Sequence, residues 1–169
     1  MSRAQVERAG FNLLEVSFAS AILAVGIFGL VSAILSSNRL NEQSRESQLA
    51  LHGAQTVAAE IQAYARGHTL DEVIGAYDGQ TVAVKGLTEV EGASDVIRID
   101  FILDETAVTP ALDINNDGDT SDPAVPVTEV VIAPVRIRAQ WSPPVGGDRT
   151  LEIVTTIFNP DGVTGGGGG

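Results

Sequence analysis

Two sets of oxygen-bearing side chains in this 169-residue chain have spacings that could do chemistry, and they call for different partners. The first is a single carboxylate, Glu15, five residues after Gly10 and inside an otherwise uncharged apolar run from Phe11 to Leu35. A carboxylate inside a membrane helix costs about 2.5 to 3.5 kcal/mol even on lenient insertion scales, so Glu15 calls for a counter-charge. The second is Asp113-Ile114-Asn115-Asn116-Asp117-Gly118-Asp119, followed by Asp122. Oxygen side chains at alternate positions around a glycine match the sharp turn by which a loop wraps calcium. The position that should supply a closing bidentate acid is Ala124. Asp113, Asn115, Asp117, Asp119 and Asp122 are therefore a partial calcium set that water or a distant carboxylate must complete. The alternative is a solvated loop built of Asx turns.

No catalytic constellation stands beside these. His52 falls in a helical stretch and His68 just past its end, with no nucleophile elbow or phosphate-cradling glycine loop near either in sequence, so both are expected to face solvent and the chain to be no enzyme. Asp71-Glu72 and Glu89 with Glu91 are expected to be charges of a solvated surface. The absence of cysteine removes disulfides, thiolate chemistry and cysteine metal clusters. From Ser36 onward the chain carries 20 acids and 8 basic residues, which accounts for its whole net charge of -12. So acidic a surface, without a basic patch or stacking aromatics, excludes a nucleic-acid footprint.

The element that must position Glu15 is a helix. At about 1.5 Å per residue the run 11–35 reaches about 37 Å, more than the roughly 30 Å core of a bilayer. The polar leader MSRAQVERAG precedes the apolar run and ends in Ala9-Gly10. A secretory signal peptide has the opposite order and loses its apolar segment on cleavage. Arg3 and Arg8 place the leader on the cytoplasmic side and export the acidic part. From Ser36 to Arg66 the helical pattern continues without proline, with Leu40, Ala50, Leu51, Ala54, Val57, Ala58, Ile61, Tyr64 and Ala65 as an apolar stripe. Gly67 is expected to stop it in a left-handed conformation.

The stretch Gly10-Phe11-Asn12-Leu13-Leu14-Glu15-Val16 resembles the cleavage and methylation motif of type IV prepilins and type II secretion pseudopilins. The resemblance implies that a prepilin peptidase cuts after Gly10 and methylates the new N-terminus at Phe11. It also implies that Glu15 faces the N-terminal amine of a neighbouring subunit and sets the register of assembly. A helix N-terminus exposes unpaired donors and a positive dipole end, which compensates Glu15 in part within its own chain. Ala24-Val25-Gly26-Ile27-Phe28-Gly29-Leu30, and the pattern Arg136 to Trp141 then Arg149 to Ile157, are similar to PilV-like minor pilins and GspI-type minor pseudopilins. Ser32 stands where many major pilins carry a proline, leaving Gly26 and Gly29 to soften the helix or to let neighbouring helices approach. The implied partners are other pilins or pseudopilins, the inner-membrane assembly platform, and membrane lipid before assembly.

The remainder reads as a small α+β head. Thr69-Leu70-Asp71-Glu72 matches a capping box and predicts a short helix over Leu70 to Tyr77. Strands are expected over 81–85, 96–103, 127–140 and 150–158 from β-branched content and alternation. Pro134 argues for an edge, a bulge or a break in the third, and 143–148 should turn the last two into a hairpin. The expected organisation is a leader at 1–10, a transmembrane or filament-core half-helix at 11–35, an amphipathic half at 36–67, an α+β head at 68–164 and a glycine tail at 165–169. The expected fold class is α+β, a long N-terminal helix on an antiparallel sheet. The function the resemblance implies is a structural minor pilin, processed at the inner membrane with its head outside the cytoplasm. The alternatives are a minor pseudopilin of a type II secretion system or a calcium-dependent adhesion module at a filament tip.

Overall fold

The computed structural model describes residues 13–158, which fall into two compact units, the first ending at Ser44 and the second beginning at Arg45. Gly10 and Phe11 lie outside the described residues. One helix, α1 (Leu13–Ala65, 53 residues), runs through the boundary. In the first unit every described residue of α1 is exposed, the apolar ones included. The Ser17 and Ser20 hydroxyls donate to the carbonyls of Leu13 (2.9 Å) and Val16 (2.8 Å). Folding back this way satisfies both hydroxyls within the helix, as an apolar surrounding requires.

In the second unit α1 buries a stripe at three- and four-residue spacing: Glu46, Ala50, Ala54, Val57, Ile61 and Ala65. Leu40, which the sequence pattern included in this stripe, lies in the first unit and is exposed, and Leu51 lies off the stripe. Alanines line the contact because the approach is close. A Cβ built on Gly53 would stand 2.9 Å from Val84 Cγ2 and 3.2 Å from Ile97 Cδ1. Gly67 is not left-handed, unlike Gly79 or Gly118. The helix ends instead on Gly67 N–H donating to the Tyr64 carbonyl (3.2 Å), which the His68 ring also reaches through Nδ1 at 2.9 Å. His68 stacks on Tyr64 and, like His52, stays exposed.

The second helix, α2 (Leu70–Tyr77), starts with the expected capping box. Glu72 N–H donates to Thr69 Oγ1 and Thr69 N–H to Glu72 Oε2. It turns Leu70, Val73 and Ile74 into the core. Tyr77 reaches back to Glu60 of α1 with its phenol, which burial and then the Glu60 charge push up, so that it stays a proton donor.

Four antiparallel strands follow in the order β1 (Thr81–Val82), β2 (Ile97–Phe101), β3 (Ile132–Trp141) and β4 (Arg149–Phe158), each paired with the next. The first is shorter than the pattern at 81–85 suggested. The third begins later than expected, because Val127–Glu129 forms a 3-10 turn. Ile97, Ile99, Val135, Ile137, Ala139, Trp141 and Ile157 point into one core with the α1 stripe. Arg98, Asp100, Arg136, Arg138 and Glu152 occupy the other face. The fold is α+β, with the second-unit part of a long helix packed on a four-strand antiparallel sheet.

Pro134 corrects one expectation: it sits in β3, an inner strand, with no bulge or break, since the pairing with β4 is continuous from Ile132↔Phe158 to Trp141↔Arg149. The hydrogen bonds explain why it is tolerated. Gln140 N–H donates to Val96 O (2.7 Å) and Ile102 N–H to Pro134 O (2.9 Å). Opposed residues alternate between bonded and non-bonded pairs, so the even-numbered residues of β3 address β2 and the odd-numbered ones address β4. The N–H that proline lacks would point past Phe101, the last residue of β2, where only the carbonyl is used.

Candidate functional site

Glu15 lies in the first turn of the described helix, exposed, among exposed apolar side chains such as Leu13, Leu14 and Phe18. No ion-pairing partner for it lies among the described residues. Of the described helices, α1 is the one long and apolar enough to cross a membrane, and its apolar window is unburied. Inside a bilayer such a carboxylate would leave a charge that a second chain can neutralise. Gly26 and Gly29 present open surface, with no atom within 4 Å of where a Cβ would be. They leave room for a neighbouring helix at close range.

The aspartate-rich loop folds by its own hydrogen bonds. Asp113 accepts from Asp117 N–H (3.1 Å) and Gly118 N–H (3.0 Å), Asp117 from Asp119 N–H (2.9 Å), and Asp119 from Ser121 N–H (2.7 Å). Asn115 accepts from Asp117 N–H and donates to the carboxylates of Asp117 and Asp122. Asn116 (φ 60°) and Gly118 (φ 97°) take the left-handed conformation that the tight path needs. The five residues of the expected calcium set thus share one loop, with their oxygens engaged by backbone and amide donors. Among the described residues no group of three or more His, Cys, Asp or Glu side chains is arranged to hold a metal ion. Asp122 has its carboxyl pushed up, first by desolvation and then by the charges of Asp117, Asp119 and Glu105. Asp119 is held down by the N–H and hydroxyl of Ser121.

Two carboxylates escaped the sequence analysis. Glu105, fully buried at the base of this loop, accepts from Ile114 N–H at 2.7 Å and Asp122 N–H at 3.3 Å, while its own N–H donates to Asp122 O. The Ile114 carbonyl accepts from Val131 and Ile132, so Glu105 ties the loop to the start of β3. Nothing in the sequence around Asp104-Glu105 marks that burial. Glu46, 5% exposed, accepts from the Trp141 indole at 3.4 Å and faces Arg149 at 3.9 Å. It had a signal: it falls four residues before Ala50 and eight before Ala54, on the buried stripe.

An exposed apolar N-terminal helix that continues into a helix-on-sheet unit defines a pilin-like architecture. Comparison of the chain with protein-family models, with curated proteins and with solved structures finds no match.

Proposed function

We propose that the protein is a minor pilin: a structural subunit processed at Gly10, anchored by its apolar helix and assembled through that helix into a type IV pilus. The observation that carries this is Glu15, an exposed carboxylate in the first turn of a helix otherwise apolar as far as Leu35. An enzyme on a tether has no use for such a charge, whereas a polymer does. Cleavage after Gly10 creates an ammonium at Phe11, and Glu15 of an adjacent subunit is the counter-charge that makes its burial affordable. Gly26 and Gly29, with open surface around them, give helices room to pack. The exported head, folded around the rest of α1, supplies the outer surface.

The same parts would serve a minor pseudopilin of a type II secretion system, and purification of the assembly that contains the chain separates the two. The processing half of the proposal is tested by N-terminal mass spectrometry of the assembled protein. The expected result is a chain that begins at methylated Phe11 and a Gly10→Ala variant that keeps its leader. A Gly10→Ala chain that still begins at Phe11 refutes it.

A further inference from the structure

A groove of about 360 Å³ opens on the second unit where α1, α2 and the edge strand β1 meet. Its floor is apolar, with Val57 from α1, Ala76 from α2, and Val82 and Ile99 from the sheet. Val57 and Ile99 are buried, whereas Val82 is 37% exposed, so the floor lies open on the β1 side. One charge stands at the rim. Glu60 is exposed, one of its oxygens accepts from the Tyr77 phenol at 3.3 Å, and no cation pairs with it among the described residues. Tyr64, held between the stacked His68 ring at 3.7 Å and the Tyr77 ring at 5.4 Å, lines the groove one turn further along α1.

The backbone of β1 is open beside this groove. Gly79 N–H donates to Ile99 O (2.8 Å) and Ile99 N–H to Gln80 O (2.9 Å), so two residues oppose one, a bulge that Gly79 permits by its left-handed φ of 72°. Beyond the bulge, Thr81 faces Arg98 and Val82 faces Ile97. Odd-numbered residues of β2 address β1, so Ile97 bonds to Val82, and the N–H and C=O of Thr81 point away from the sheet. Thr81 itself lines the groove. On an added strand, a residue laid opposite Val82 shares its face, which is the core face of Ile97 and Ile99.

We propose that this groove receives an extended segment of a partner protein, which pairs with the backbone of Thr81 and lays a lysine or arginine beside Val82. Charge selects the side chain. A neutral apolar residue covers the floor but leaves the Glu60 carboxylate without a counter-charge, and an acid meets Glu60 as a like charge. A lysine or arginine answers both features, since its aliphatic stem lies on Val82 and Val57 while its head stays at the rim and donates to Glu60. The chain's net charge of -12 draws basic segments toward it before contact. The inference stands apart from the filament proposal, because it involves neither Gly10 nor Glu15.

The test titrates the full chain in detergent micelles with two peptides, acetyl-Thr-Val-Lys-Val-Thr-amide and the same peptide with norleucine in place of lysine, and reads binding by NMR. The lysine peptide should shift the Thr81 amide and the side-chain signals of Val57, Tyr64 and Val82, and the norleucine peptide should have a dissociation constant about three- to tenfold higher. Glu60→Gln, at an exposed site, should leave circular dichroism native and bring the two peptides to equal affinity. Asp71→Asn, which removes an exposed acid of α2 outside the groove, should leave the preference for lysine intact and so separates a contact with Glu60 from diffuse attraction. No binding of either peptide, shifts confined to other residues, equal affinity in the parent, a preference that survives Glu60→Gln, or one that Asp71→Asn also abolishes overturns the proposal.

Discussion

Glu46 is the sharpest probe of how α1 is fastened to the sheet. Replacing it with leucine keeps most of its volume but leaves the Trp141 indole N–H, in a residue 3% exposed, without an acceptor. An unsatisfied buried donor costs about 1 to 3 kcal/mol. Arg149, with its side chain 24% exposed, regains water when its partner is lost, and its 3.9 Å pair adds little. The bond to the indole is long at 3.4 Å, so the lower half of that range applies: about 1 to 2 kcal/mol, or a Tm lower by about 4 to 10 °C for a domain of this size. Glu46→Gln retains an oxygen for the indole and should lose less than half as much. Trp141 is the only tryptophan in the chain, so its fluorescence during denaturant unfolding reports directly on this contact. A cycle with Trp141→Phe, followed by circular dichroism, should show that Glu46→Leu costs much less once the donor is gone. A Glu46→Leu protein as stable as the parent, or Glu46→Gln as damaging as leucine, refutes the argument.

Other outcomes follow from the same structure. Ile137→Ala, at a fully buried site under the helix, should cost about 2 to 5 kcal/mol in denaturant unfolding. Thr69→Ala removes the cap of α2 and should cost about 1 kcal/mol by the same measurement. Asp122 has a raised carboxyl, so the folded protein holds that proton more tightly than the unfolded chain and the ionised form is the less stable one. Asp122→Asn should therefore raise Tm at neutral pH, and the gain should fade as acid protonates Asp122 in the parent. A gain that persists in strong acid contradicts this. Because the 113–122 loop closes on its own donors, Tm should be the same in chelator as in untreated buffer. A Tm that rises with added calcium would show that Asp113, Asn115, Asp117, Asp119 and Asp122 turn toward an ion.

Periodicity carried the architecture because it is written in single residues that burial cannot disguise. Three- and four-residue spacing from Ala50 to Ala65 and two-residue alternation in β2 both describe the core as folded. The capping box at Thr69 was equally legible, since both its bonds are local. What sequence could not supply was pairing between distant segments. Pro134 reads as an edge, a bulge or a break until the end of β2 at Phe101 is known. Gly67 reads as a left-handed stop until His68 is seen on the Tyr64 carbonyl. Glu46 and Glu105 went unremarked because their partners, the Trp141 indole for one and the Ile114 and Asp122 N–H groups for the other, become neighbours only in the fold. Glu15 stands out in the sequence because it is the one charge in an apolar run long enough to span a bilayer, where a carboxylate is costly.

That charge is also where the account is most exposed to test. Glu15→Leu leaves the run 11–35 without a charge and should leave membrane insertion intact while removing the counter-charge for an incoming N-terminus. Co-expression of tagged parent and Glu15→Leu chains, followed by quantification of each in sheared, purified filaments against its membrane pool, measures the difference directly. The expected result is a variant abundant in the membrane and depleted in filaments. Equal incorporation of the two chains would contradict the claim that this protein is assembled through the carboxylate in its helix.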